Sequence, residues 1–61
     1  MTLKEWKDEK GKSGSEIAAA LGVHQSTVHK YLHQKRIPEP YMIYNIQRLT
    51  GNRVMLEDWI I

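Results

Sequence analysis

Apolar residues recur at helical spacing along most of the chain, and the breaks between them fall on glycines and prolines. Leu3 and Trp6 share one face of a segment that opens at Thr2 and stops at Gly11. Thr2 with Glu5 three residues on is a capping box, in which each side chain satisfies a free backbone N–H of the first turn. Ser13 and Glu16 repeat that device and open a second helix, which carries Ile17, Ala18 and Leu21 inward and stops at Gly22. A third helix begins near His24 or Gln25, with Val28, Tyr31 and Leu32 at i, i+3, i+4. The run Ile37-Pro38-Glu39-Pro40 breaks it, because proline disfavours α geometry in the residue before it. The same prolines suit the first turn of a new helix.

In that fourth helix Met42, Ile43, Ile46 and Leu49 fall within about 120° of arc, with Tyr41, Tyr44, Asn45, Gln47 and Arg48 on the remainder. Gly51 is a natural stop. From Asn52 to Ile61 two readings compete: a strand through Val54-Met55-Leu56, or one or two helical turns through Leu56 to Ile60. The short helix is favoured. The fold class is therefore all-α, about five short helices. The alternative is α+β, with a C-terminal β-hairpin after three helices.

The segment from Gly14 to Tyr31 looks like a helix-turn-helix, and each signature position has a mechanical reason. Ala18 is small because the next helix crosses it closely. Gly22 supplies the left-handed backbone of the tight turn. Val23 plugs the angle between the helices, and Ile17, Leu21, Val28 and Tyr31 fill the wedge beneath. The outer face of the third helix presents Gln25, Ser26, His29, Lys30 and His33. All five hydrogen-bond, and none is acidic. An ordinary solvated helix face mixes in Glu or Asp, whereas a carboxylate facing DNA is repelled.

Composition narrows the class further. Sixty-one residues form one domain, spanning 1–61, with 41% hydrophobic residues and no cysteine. So short a chain buries surface only marginally, and it has neither a disulfide nor a thiolate metal site to help. Size argues against an enzyme, and no nucleophile–base–acid arrangement is visible. The longest apolar run, Ile17 to Leu21, is far short of the about 20 residues that cross a membrane. The N-terminus has no apolar signal region. The net charge is +2, and its placement matters more than its size. Residues 1–10 are neutral, residues 11–36 carry +3 and all three histidines, and residues 37–61 carry −1. That middle block is the footprint of a polyanion-binding surface.

Val23 to His33 is similar to the recognition segment of phage Cro repressors of the lambda type, and Thr2 to Trp6 resembles the opening of that family's first helix. The stretch from Ile37 to Gly51 resembles its all-helical branch and the related Cro-like antitoxins. The family includes both all-helical members and members with a C-terminal hairpin. The resemblance implies a transcriptional repressor on a pseudo-palindromic operator, in the cytoplasm of a bacterial host at the nucleoid. A recognition helix of about 25–34 would lie in the major groove.

It further implies base reading by Gln25, Ser26, His29 and Lys30, in which a carboxamide pairs with adenine and an ammonium with guanine. His29 departs from the amide commonly found at its position. Backbone contacts would come from Lys12, Ser13, Ser15, His24, Thr27, His33, Lys35 and Arg36. Ser13 does so in addition to its cap. Tyr44, Asn45 and Arg48 are weaker candidates for the DNA backbone.

The dense apolar end, Val54 to Leu56 and Trp59 to Ile61, must partly complete the core. What remains, with Met55, Trp59 and Ile60 foremost, would form the contact of a weak homodimer strengthened on DNA. No cofactor and no small-molecule ligand is expected. His29 and His33 lie at i, i+4 but lack further ligands, so no metal site is expected. Protonation of the three histidines should raise DNA affinity as pH falls from about 7.5 to 5.5. Two other readings compete: a Cro-like antitoxin whose main partner is a protein, and a small helical interaction module.

Overall fold

The computed structural model describes residues 1–60, and Ile61 lies outside the described residues. Four helices follow in order: α1 (Leu3–Lys10), α2 (Gly14–Leu21), α3 (Gln25–Leu32) and α4 (Pro40–Leu49), then a 3₁₀ turn at Leu56–Asp58. No strand occurs among the described residues, so the hairpin alternative falls and the all-α reading stands.

Local chemistry sets the boundaries. Both capping boxes form: Thr2 Oγ1 accepts the Glu5 N–H at 3.2 Å and Glu5 returns the bond at 2.8 Å. In the Ser13–Glu16 pair the same two bonds measure 3.0 and 2.9 Å. Pro40 occupies the first turn of α4, where its missing N–H costs nothing. Gly22 closes α2 at φ +71°, in the left-handed region that the tight turn requires.

α3 packs chiefly on α2, α4 on α2, α1 on α3, and the 3₁₀ turn on α4. The core draws on every element: Leu3 and Trp6, Ile17 and Ala18, Val28 and Tyr31, Met42, Ile43 and Ile46, then Val54 and Trp59. Of the residues assigned to the wedge between α2 and α3, Ile17, Val28 and Tyr31 are buried, and Leu21 and Val23 are half-buried. Thr50 is the buried polar side chain. Its hydroxyl donates to the Ile46 carbonyl at 2.8 Å and accepts the Val54 N–H at 3.1 Å, so it ties α4 to the tail while its own hydrogen bonds are satisfied.

The tail departs from the sequence reading in one respect. Trp59, placed above on a dimer surface, is only 6% exposed and meets the Tyr31 ring edge-on at 6.1 Å. A large aromatic gains much from enclosure against the Tyr31 ring, so it joins the core. Met55 is half-buried and Ile60 exposed. The 3₁₀ turn is pinned by Asp58, whose carboxylate accepts the Met55 N–H at 2.8 Å and the Met1 ammonium at 3.0 Å. Arg53 reaches back to Glu9 of α1 at 3.0 Å.

Candidate nucleic-acid interface

α3 is an amphipathic cylinder seated on the core by its apolar side. Val28 and Tyr31 sink into the core, which leaves Gln25, Ser26, His29, Lys30 and His33 exposed together on the outer side. Thr27 is half-buried at the edge of that face. The helix ends sooner than the sequence suggests. Leu32 is its last residue, and Gln34 turns to φ +55°, which no α-helix continues through. Lys35 and Arg36, both exposed, therefore leave along a turn and not along the helix. Arg36 shares part of its charge with Glu39, 3.6 Å away.

His24 has a role the sequence did not disclose. It is the N-cap of α3, its Nδ1 accepting the Ser26 N–H at 3.2 Å and lying 2.9 Å from Ser26 Oγ. The pairing fixes the first turn and holds the Ser26 hydroxyl close to the helix start. The signal available in sequence was only position, since histidine is not among the preferred N-caps.

Lys12, Ser13 and Ser15 are exposed around the start of α2. There Glu16 accepts the Ser13 N–H, and that backbone hydrogen bond holds its carboxyl below the usual range. An ionised carboxylate thus sits at the helix end where a phosphate would otherwise be drawn. Among the described residues, no three or more His, Cys, Asp and Glu are grouped to hold a metal ion.

The fold also gathers residues that the linear charge count set aside. Lys4 and Lys7 of α1 face Gln25, His29, Leu32 and His33 of α3 across an open cleft of about 360 Å³, with Gly14 at its margin. The imidazoles of His29 and His33 lie 4.3 Å apart, ring to ring. The i, i+3 spacing of Lys4 and Lys7 was the available clue; averaging over a neutral block hid it. On α4, Asn45 and Arg48 share a hollow with Ala20 and Leu21 of α2 and with no residue of α3. Arg48 stacks over Tyr44 at 5.7 Å. No helix among the described residues is long and apolar enough to cross a membrane.

A family model described as helix-turn-helix matches residues 3–53, from the first helix to the turn after the fourth. No curated protein and no solved structure matches the chain. The matched span contains the Gly22 turn, the crossing at Ala18 and the exposed outer face of α3. The chain belongs to the helix-turn-helix family of DNA-binding regulators.

Proposed function

We propose that the protein is a sequence-specific transcriptional repressor of the Cro type, acting in the cytoplasm of a bacterial host by occupying an operator. One observation carries the reading: a core-seated helix whose exposed face, from Gln25 to His33, is polar throughout and free of carboxylates. Gln25 stands at the N-terminal end of α3, the end that approaches base edges when such a helix enters the major groove. Its carboxamide suits adenine, and Lys30 suits guanine. Ser26 and His29 complete the reading set, and Lys12, Ser13, Ser15, Thr27, His33, Lys35 and Arg36 supply backbone contacts. His24 acts by shaping the helix start.

The apolar surface left uncovered supports a reading of two copies on a pseudo-palindrome. Tyr41, Tyr44, Leu56 and Ile60 are between 53 and 61% exposed, and all lie beyond α3. Pro40, Ile43, Tyr44, Gln47 and Leu56 line a groove of about 300 Å³. Isolated apolar side chains need no partner, whereas a contiguous set marks a contact surface. With Trp59 committed to the core, the contact moves to the outer side of α4 and the 3₁₀ turn.

The test is selection of bound sites from random DNA, followed by Gln25→Ala and Lys30→Ala. Base readers relax the preference at single positions, by about 1–3 kcal/mol each. Uniform weakening would make them clamps. A repressor making about six phosphate contacts loses roughly a thousandfold in affinity between 50 and 200 mM salt. A chain that binds no DNA is a protein-interaction module.

A further inference from the structure

The cleft between α1 and α3 takes one wall from outside the two helices of the DNA-binding motif proper, and it is positively charged. Lys4 and Lys7 line it from α1, and Gln25, His29 and His33 line it from α3. Asp8 is the acidic group beside it, 3.0 Å from Lys4 and 3.9 Å from Lys7. Two ammoniums against one carboxylate leave one net positive charge before any imidazole is protonated. The Lys4–Asp8 pair is more than half exposed on both sides. Such pairs contribute little, so a stronger anion can draw Lys4 away.

We infer that this cleft seats a phosphate of the DNA backbone, held by Lys4 and Lys7 of α1 and by the His29 and His33 imidazoles of α3. The site rests on the DNA-binding reading and extends it. Gln25 belongs both to the cleft and to the reading face, so an anion in the cleft lies beside the base that Gln25 meets. The phosphate grip thereby sets the depth and register of α3, a positioning role that carries no sequence information of its own. It also reassigns His29, whose ring pairs with His33 toward the cleft, from base reading to backbone contact. Lysine ammoniums and imidazole N–H groups are donors, which suits a phosphate.

The experiment measures the salt dependence of binding to a selected site. The Lys4→Gln, Lys7→Gln double variant is expected to flatten the slope of log K against log salt by about 1 to 2 while keeping the base preference. Lys10→Gln, on α1 but outside the cleft, should leave the slope unchanged. Asp8→Asn removes the competing carboxylate and should tighten binding several-fold, an effect that loss of a structural ion pair would not produce. Circular dichroism of each variant verifies folding.

A wild-type slope in the double variant, or no gain in Asp8→Asn, overturns the seat while leaving DNA binding intact. Absence of salt-dependent binding by the wild-type chain overturns both readings. Inorganic phosphate provides the remaining arm. If millimolar phosphate saturates shifts of the His29 and His33 ring signals in DNA-free protein, the cleft serves a small phosphorylated ligand and the backbone assignment fails.

Discussion

His24 Nδ1 accepts the backbone N–H of Ser26 at 3.2 Å, so an imidazole satisfies one of the free N–H groups at the start of α3. His24→Ala removes that acceptor and should destabilise the domain by about 1 kcal/mol in a denaturant titration. His24→Ser keeps a side-chain acceptor at the cap and should recover most of the loss. An alanine variant as stable as the wild type would remove His24 from the account.

The capping carboxylates make the fold acid-labile. Backbone N–H groups of Thr2 and Ser13 hold Glu5 and Glu16 below the usual range, and the Met55 N–H does the same for Asp58. Each group binds its proton more readily in the unfolded chain, so stability is full above the ordinary carboxylate range, about 4. It is lost as pH falls from there through the lower folded values. The midpoint of thermal unfolding should drop between pH 6 and pH 3. Glu5→Gln with Glu16→Gln keeps both boxes hydrogen-bonded, so this double variant should show a shallower drop.

Trp59 should be the most damaging tail residue to truncate. Trp59→Ala leaves a cavity beside Tyr31 and costs about 3–5 kcal/mol, comparable to the whole stability of so small a domain. Loss of cooperative unfolding by circular dichroism is the expected result. Trp59→Phe should cost much less. Its volume is closer, and it removes an indole N–H that lies buried without a partner.

At Gly22 the constraint is in the backbone alone. A Cβ added there meets nothing within 4 Å, yet φ is +71°. Gly22→Ala should therefore cost about 1–2 kcal/mol through the left-handed conformation, measurable by denaturant titration. It should leave the base preference intact, because nothing on the outer face of α3 moves.

The elements that depend on near neighbours were legible in sequence: both capping boxes, the Gly22 turn, the Pro40 start and the buried arc of Met42, Ile43 and Ile46. What depends on distant packing was not. Trp59 and Ile60 are adjacent and alike in apolar character, yet Trp59 is enclosed against Tyr31 while Ile60 stays exposed. Lys4 and Lys7 belong to a neutral stretch until α1 is laid against α3. The early end of α3 rests on a single left-handed residue, Gln34, whose type gave no warning. The exposed set on α3 was readable throughout, because a surface free of acids is a property of residue types and spacing.

The arrangement of Val54 and Trp59 beneath the motif bears on engineering. Residues 14–32 cannot be transplanted as a self-sufficient cassette, since Val54 and Trp59 join residues of α1 and α4 in the core that supports them. Exchange of only the outward side chains of α3 is the route open to retargeting, with the underlying scaffold kept whole to its final aromatic.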